Sequence, residues 1–202
     1  MERLFAIFLL LLFSPLLLIL YFVVRLTSKG SFLFKQKRAG KDKKPFWIYK
    51  IRTMVRNAED LRSKIDDQNE ADGPAFKIHN DPRYTKFGRF LAHTALDEIP
   101  QLMNIIKGEM SFVGPRPLPI DEAKKIPKKY EKRFTVLPGM TSLWIIHGAD
   151  HKSFEKWMKL DLEYIKNKSF FYDIKILLVT VGLIIRLLVS KIILIQNLKV
   201  KS

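Results

Sequence analysis

Residues 94–117 have the sequence TALDEIPQLMNIIKGEMSFVGPRP, and this stretch decides how the rest of the chain is interpreted. It begins with an acidic pair, Asp97 and Glu98, and ends in a Gly-Pro-Arg-Pro turn that carries Arg116. Proline fixes its own φ and restricts the residue before it, so the flanking prolines limit the backbone of Arg116. The stretch therefore combines two carboxylates with one cation in a restricted conformation.

Pro100 predicts where the helix in this stretch begins. A proline cannot donate a backbone hydrogen bond, so it is tolerated in the first turn of a helix. With Asp97 as the N-cap, Pro100 falls at the third helical position, and Gly108 ends the helix. One apolar face of that helix should contain Ile99, Leu102, Met103 and Ile106.

The acidic pair has two explanations at this point. An aspartate N-cap and a glutamate in the first turn stabilise a helix, with about 1 kcal/mol for the cap, and capping alone would account for both residues. The Pro-Arg-Pro turn and the basic composition favour phosphate chemistry at Asp97 and Glu98 instead.

The composition limits the classes of protein to consider. The 202 residues fit one domain, with room for an appendage, and the formal charge of +16 indicates a polyanionic partner. There is no cysteine, which excludes disulfides, thiolate catalysis and cysteine-ligated zinc. The four histidines, at positions 79, 93, 147 and 151, lack the spacing of metal ligands.

An uncharged run of 21 residues, Leu4–Val24, is long enough to span a bilayer. Ser14 and Pro15 lie at its centre, where proline should kink a helix and the serine hydroxyl can bond a freed carbonyl. The run is either a spanning helix with a tolerated proline or a helix-break-helix that enters one leaflet and returns. The residues alone favour the span.

The segment after this run is strongly basic. Residues 25–56 contain eleven lysines and arginines and one acid, Asp42. Such a cluster beside a membrane segment indicates the cytoplasmic side and attraction to anionic lipid. Nucleic-acid binding is not expected, because no helix-turn-helix or RNP-type pattern accompanies the charge.

Short elements follow. Residues 31–38 and 46–52 are predicted to form a β-hairpin around the turn Gly40–Lys44. Residues 56–69 are predicted to be helical. Near the C-terminus, residues 176–185 carry no charge and are too few to span a membrane, so they predict an interfacial amphipathic helix or a buried core helix.

Several motifs in order resemble the bacterial sugar transferases, the monotopic phosphoglycosyl transferases that start lipid-linked glycan assembly. The run LDEIPQLMNIIKGEMSFVGPRP resembles their signature, and the resemblance covers most of residues 4–180. The supporting motifs are Gln36–Gly40, Lys50–Met54, Asp81–Arg83, Gly88–Leu91 and Leu137–Thr141. The chain departs from the family pattern at Ala92, His93, Ser142, Ile145, His147 and Ala149.

The resemblance implies an α+β, mostly helical fold of two parts. Residues 1–28 would form a re-entrant membrane helix-break-helix with its break at Ser14 and Pro15. Residues 29–202 would form the catalytic domain, with a small β-hairpin and amphipathic interfacial helices around the active site. The protein would lie in the inner membrane with this domain facing the cytoplasm.

The resemblance also implies the reaction. A sugar-1-phosphate would pass from a UDP-sugar to polyprenyl (undecaprenyl) phosphate, releasing UMP, with Asp97 as covalent nucleophile and Glu98 as its partner. Asp97 and Glu98 would hold Mg²⁺. The expected phosphate-binding residues are Arg116, Lys50, Arg52, Arg38 and Arg89. An N-acetylated or di-N-acetylated amino sugar is the expected donor, with galactose and glucose open.

Two other functions remain open from the sequence. A membrane-anchored scaffold with a basic binding face would need no carboxylate pair. A degenerate, inactive transferase would explain the departures at Ala92 and Ala149. Release of UMP from UDP-sugars distinguishes both from an active enzyme.

Overall fold

The computed structural model of the chain describes residues 1–199, and for residues 188 and 190–199 it describes the backbone only. These residues form mainly helices, with two small two-stranded sheets. The α-helices are α1 Glu2–Thr27, α2 Ala58–Arg62, α3 Lys86–His93, α4 Leu102–Lys107, α5 Ile120–Lys124, α6 Leu143–Ile146, α7 Phe154–Asn167 and α8 Phe170–Lys199. The strands are β1 Leu33–Ala39, β2 Pro45–Ile51, β3 Ser111–Val113 and β4 Gly139–Thr141. The 3₁₀ helices are Lys41–Lys43, Ser63–Gln68, Leu96–Gln101 and Lys128–Phe134.

Helix α1 runs without interruption from Glu2 to Thr27, as the residues alone favour, so the helix-break-helix that the resemblance implies stays a prediction. Pro15 lies inside it and cannot donate to the carbonyl of Leu11, four residues earlier. The Ser14 hydroxyl donates to that carbonyl oxygen instead, at 2.7 Å. This local replacement explains why the helix continues, and it confirms the predicted role of the serine.

Both ends of α1 contact the rest of the chain. Ser111 Oγ donates to Glu2 Oε1 at 2.8 Å near the start of the helix. Beyond its end, Arg52 donates to the carbonyl oxygens of Ser28 and Lys29, at 2.8 and 2.7 Å. The buried side chains of α1 in the hydrophobic core are Ala6, Leu20 and Val24, and further partly buried side chains of α1 pack against them: Leu9, Leu10, Phe13, Leu16 and Leu17.

The opposite side of α1 exposes apolar side chains, including Leu4, Phe8, Leu11, Leu12, Leu18, Ile19 and Phe22. Among the described residues, α1 is the one helix that is long and apolar enough to cross a membrane. The division of the chain at residues 28 and 29 stays a prediction, and residues 200–202 of the expected second part lie outside the described residues.

Strands β1 and β2 form the predicted antiparallel hairpin, with Phe34 opposite Lys50 and Arg38 opposite Phe46. The buried amide of Asn104 fixes the free edge of β2 to helix α4. Asn104 Nδ2 donates to the Trp47 carbonyl at 2.7 Å, and its Oδ1 accepts from the Tyr49 N–H at 3.2 Å. Helix α4 in turn packs along α1.

The central stretch differs from its prediction in two respects. Asp97 is not an N-cap: the cap is Ala95, whose φ of 56° turns the chain so that a 3₁₀ helix starts at Leu96. Ile99 and Leu102 are buried as predicted, but Asn104 and Ile105 are the other buried residues, while Met103 and Ile106 are only partly buried. The helix end at Gly108 is confirmed, with a φ of 77° that glycine adopts without strain.

Helix α8 includes the apolar segment 176–185. Ile176 is buried, and Thr180 Oγ1 lies 2.7 Å from Thr141 Oγ1 of β4. Leu178, Val181 and Ile185 are each more than half exposed, which contradicts the alternative of a buried core helix. An interfacial position for α8 stays a prediction.

Candidate active site

The two carboxylates lie together in the 3₁₀ helix Leu96–Gln101 and share one lysine. Lys50 Nζ is 2.6 Å from Glu98 Oε1 and 3.6 Å from Asp97 Oδ2. Lys50 reaches them because residues alternate between the two faces of β2, which places its side chain on the face opposite Trp47 and Tyr49. The predicted residues Asp97, Glu98 and Lys50 therefore form one cluster, in which Asp97 is buried and the other two are partly buried.

Arg116 completes this cluster from the Gly-Pro-Arg-Pro turn. Its Nη1 lies 3.7 Å from Glu98 Oε1, and its side chain remains about one-third exposed. Arg116 can therefore contact Glu98 and an incoming anion from the same position.

Two arginines, the partly buried Arg38 and the buried Arg133, hold the backbone of this turn. Arg38 Nη1 donates to the carbonyl oxygen of Pro117, and Arg133 Nη2 donates to that of Arg116, each at 3.0 Å. Arg133 is itself fixed by Asp161, whose Oδ2 accepts from Nε at 2.9 Å and lies 2.8 Å from Nη2. The turn is also held by the Gly139 N–H, which donates to the carbonyl of Pro115 at 3.1 Å. These contacts position Arg116 independently of any ligand.

The electrostatic surroundings separate the two carboxylates. Burial and the negative charge of Glu98 raise the pKa of Asp97 to about 6, although Lys50 and Arg116 oppose the rise. Burial also favours the protonated form of Glu98, but Lys50 and Arg116 outweigh it and lower the Glu98 pKa to about 2. Glu98 is thus the firmly ionised partner of the cations, and Asp97 is the more basic carboxylate.

The other predicted phosphate-binding residues are placed differently. Arg38 lies beside the site, where burial and Arg116 lower its pKa to about 10, so it stays protonated at neutral pH. Arg52 directs its guanidinium to Ser28 and Lys29 at the end of α1, away from the pair. Arg89 is exposed on α3. The structure therefore brings together Lys50, Arg116 and Arg38 around the two carboxylates, and not Arg52 or Arg89.

Lys77 is an exposed lysine whose charge interacts with this site and which the sequence interpretation missed. Its N–H donates to Asn69 Oδ1 at 2.8 Å, and its carbonyl accepts from the Glu70 N–H at 2.8 Å, so its backbone is fixed on both sides. Burial and the cations Arg116 and Lys50 lower the Lys77 pKa. No ion pair between described side chains involves Lys77.

Two further side chains, Tyr84 and His151, interact with the charges of the site and were also missed. Burial and the charges of Asp97 and Asp81 raise the pKa of Tyr84. Burial, Arg116 and Lys77 lower the pKa of His151 to about 4, which keeps it neutral at pH 7. The sequence signal available for Tyr84 was the Asp-Pro-Arg motif that precedes it. In the structure, Asp81 and Arg83 of this motif form a buried ion pair of 2.6 Å.

The oxygen atoms at the site suit a hard cation that also binds substrate. In the part of the chain that the structure describes, no group of three or more His, Cys, Asp or Glu residues converges. Mg²⁺ commonly takes one or two protein carboxylates together with substrate phosphates and water. The pair Asp97 and Glu98 fits that donor set.

Comparison with known proteins identifies the group to which this site belongs. A sequence profile described as "Bacterial sugar transferase" matches residues 1–187. The chain belongs to the bacterial sugar transferase family. This confirms the resemblance found in the signature run and includes helix α1 and all the site residues above.

Several curated members of the family are similar over most of this chain. "Uncharacterized sugar transferase EpsL" of Bacillus subtilis (strain 168) is 40% identical over 90% of this chain and 85% of that protein. "Undecaprenyl-phosphate galactose phosphotransferase" of Salmonella typhimurium is 36% identical over 90% of this chain and 39% of that protein. "UDP-glucose:undecaprenyl-phosphate glucose-1-phosphate transferase" of Escherichia coli (strain K12) is 38% identical over 87% of this chain and 37% of that protein. The chain thus spans little more than a third of several larger relatives.

Proposed function

We propose that this bacterial sugar transferase moves a sugar-1-phosphate from a UDP-sugar to polyprenyl (undecaprenyl) phosphate and releases UMP. The observation that supports this most is the pair Asp97 and Glu98, held by Lys50 and Arg116. Two further cations interact electrostatically with the pair: Arg38 with Glu98, and Lys77 with Asp97. Several cations near the pair suit a diphosphate that must be bound next to two carboxylates.

In the proposed reaction, Asp97 is the nucleophile. One of its oxygens bonds to the β-phosphorus of the UDP-sugar, the bond from that phosphorus to the bridging oxygen breaks, and UMP leaves with the electron pair. An oxygen of the polyprenyl phosphate then bonds to the same phosphorus, and Asp97 departs as a carboxylate. The products are UMP and a polyprenyl diphosphate that carries the sugar.

The environment of Asp97 supports this assignment over Glu98. A more basic oxygen is a better nucleophile, and the pKa of Asp97 is raised to about 6 while that of Glu98 is lowered to about 2. Glu98 instead keeps Lys50 and Arg116 in place. Arg116, Lys50, Arg38 and Lys77 would bind the phosphate oxygens.

We propose that Mg²⁺ binds to Asp97 and Glu98 together with the diphosphate. When bound, it would neutralise charge on the phosphate oxygens. The residues of the chain orient the donor, and the buried position of Asp97 excludes water from the reacting carboxylate.

We also propose that α1 enters the cytoplasmic leaflet of the inner membrane and that both of its ends stay at the cytoplasmic face. The contacts of Glu2 at one end and of Ser28 at the other with the same body support this path. A helix that spans the bilayer would put Glu2 and Ser28 on opposite sides of the membrane, and their partners Ser111 and Arg52 could not both reach them. The basic residues after Val24 favour the cytoplasmic side.

An assay of UMP release tests the function directly. The purified protein is incubated with undecaprenyl phosphate, Mg²⁺ and a panel of UDP-sugars that includes N-acetylglucosamine, di-N-acetylated, galactose and glucose donors. We expect one of the UDP-sugars to give UMP and lipid-linked sugar, and we expect that donor to be an N-acetylated or di-N-acetylated one. Absence of UMP with every donor would contradict the proposal and favour a scaffold or an inactive transferase.

A further inference from the structure

The β1–β2 hairpin has two faces with different chemistry. Arg38 and Lys50 lie on the face toward the active site, and alternation along the strands places Lys35, Lys37, Trp47 and Tyr49 on the opposite face. We call these four residues, together with Lys107 at the end of α4, the outer hairpin face.

On the outer hairpin face, lysines cover aromatic rings. Lys37 Nζ lies 5.3 Å from the ring centroid of Trp47, its cross-strand partner. The Nζ atoms of Lys35 and Lys107 lie 5.5 and 4.4 Å from the Tyr49 ring centroid. Lys107 also donates to the Tyr49 hydroxyl at 2.6 Å. These cation–π contacts hold three ammonium groups in a row over two rings.

The charges in this row are available to an external anion. Lys35, Lys37 and Lys107 are exposed, and Trp47 is 47% exposed. None of the ion pairs found between described side chains uses these three lysines. The indole of tryptophan has a large apolar area that favours burial. An exposed tryptophan among lysines without ion pairs is therefore unusual for a surface that contacts only water.

The outer hairpin face is continuous with the start of α1. Lys107 precedes Gly108, and the guanidinium of Arg3 lies so close to Gly108 that a Cβ there would collide with it. Phe5 packs on Phe112 with ring centroids 5.5 Å apart, and Leu4 exposes most of its side chain. The lysine–aromatic row therefore borders the exposed apolar side of α1.

We propose that the outer hairpin face binds the headgroups of anionic phospholipids in the bilayer that receives α1. Tryptophan and tyrosine favour the interface between headgroups and acyl chains, and lysines bind anionic headgroups while their stems lie on apolar surface. Since Arg38 and Lys50 lie on the other face of the same two strands, this contact sets the height of the active site above the membrane.

This inference rests on the membrane association proposed above and is tested separately from catalysis. The full chain is placed in phosphatidylcholine nanodiscs with or without about 30% phosphatidylglycerol. Trp144 and Trp157 are buried, so quenching by acrylamide, a neutral quencher, reports mainly on Trp47. Subtracting the signal of Trp47→Phe isolates it.

We expect acrylamide to quench Trp47 at least about twofold less in the anionic discs than in the neutral discs. The triple variant Lys35→Gln, Lys37→Gln, Lys107→Gln should abolish that difference. A matched control, Lys64→Gln, Lys128→Gln, Lys156→Gln, removes three exposed lysines elsewhere and should retain it. Both triple variants should still enter discs through α1 and release UMP in detergent, which separates this test from that of the proposed function.

Two results would overturn the inference. One is equal quenching of Trp47 in both kinds of disc. The other is equal loss of protection in the two triple variants, which would mean that net charge matters and the outer hairpin face does not. Protection of Trp47 by a short oligonucleotide, with none by anionic lipid, would also overturn it and assign the face to nucleic acid.

Discussion

Arg133 donates a hydrogen bond of 3.0 Å to the backbone carbonyl of Arg116, and this bond connects a buried ion pair to the active site. Arg133 and Asp161 are almost completely buried, so their geometry does not depend on solvent. The position of the phosphate-binding guanidinium of Arg116 thus depends on a residue that touches no substrate.

Replacing Arg133 with lysine should therefore weaken catalysis through Arg116. Lysine keeps the charge next to Asp161 but lacks the fork that reaches the carbonyl as well. We expect kcat/KM for the UDP-sugar to fall about tenfold, which is about 1.4 kcal/mol. In an Arg116→Ala background, Arg133→Lys should lower kcat/KM almost no further, because Arg133 acts on catalysis through Arg116. Additive losses would show that Arg133 acts only on folding.

Asp97→Asn should abolish UMP release while the protein stays folded. Asparagine keeps the shape of the side chain but cannot form the covalent intermediate, so we expect a loss of at least about 10³-fold. Mass spectrometry of the wild type, trapped with donor in the absence of acceptor, should find a phosphosugar on Asp97. A phosphosugar on Glu98 would reverse the assignment of the two carboxylates.

Asp97→Asn should also stabilise the fold, and the gain should depend on pH. The pKa of Asp97 rises from 3.8 to about 6 on folding, so its charge destabilises the native state above about pH 6 and not below pH 3.8. We expect a melting temperature a few degrees above wild type at pH 8 and an equal one near pH 3.5. Equal melting temperatures at both pH values would mean that the charge of Asp97 is fully compensated.

The pH dependence of kcat/KM should have an acidic limb near pH 6. The nucleophile must be ionised, and the pKa of Asp97 in the free enzyme is about 6, so activity should rise up to that pH and then level off. In Glu98→Gln, the loss of a neighbouring negative charge should move the limb of the residual activity to lower pH. A limb that stays in place would assign it to another group.

Lys77→Met should raise the KM for the UDP-sugar. A hydrogen bond to a charged group is worth about 1.5–3 kcal/mol, so kcat/KM should fall roughly 10- to 150-fold. The matched control is Lys64→Met, which removes an exposed lysine from the 3₁₀ helix Ser63–Gln68. Equal activity of Lys77→Met and the control would exclude Lys77 from substrate binding.

The topology of α1 can be read from cysteine labelling, because the chain contains no cysteine. A cysteine inserted after Met1 should react only with reagents that reach the cytoplasm, like a control cysteine at Lys44 in the hairpin turn. The double change Ser14→Ala, Pro15→Ala should move the first cysteine toward the outside. Labelling of the unchanged N-terminus from outside the cell would refute the re-entrant path and leave the catalytic assignment standing.

The sequence predicted those features that depend on neighbouring residues. The hairpin followed from alternation around Gly40–Lys44, the helix end at Gly108 from its glycine, and the role of Ser14 from the proline beside it. The predicted N-cap, Asp97, was wrong. The cap is Ala95, whose left-handed backbone could not be predicted because glycine and asparagine, the residues that commonly adopt it, are absent at this position.

Contacts between distant residues were harder to predict. Arg52 follows Lys50 by two positions and was expected to bind phosphate as Lys50 does, but it lies beyond the end of β2 and turns to Ser28. Lys77 precedes Asp97 by 20 residues, and no local periodicity connects the two. The Asn69 side chain that holds Lys77 could not be inferred from spacing, since its partners are fixed only when the loop closes.

The buried amide of Asn104 has a consequence for the accuracy of assembly. A hairpin can slip along its neighbour by two residues and still keep its apolar face inward, and such a slip would carry Lys50 about 7 Å along the strand. Asn104 bonds both Trp47 and Tyr49, so in a slipped hairpin its amide would face the wrong backbone groups without water to replace them. Asn104 on α4 thereby fixes the register of β2 during folding, and this register places Lys50 beside the two carboxylates of the 3₁₀ helix Leu96–Gln101.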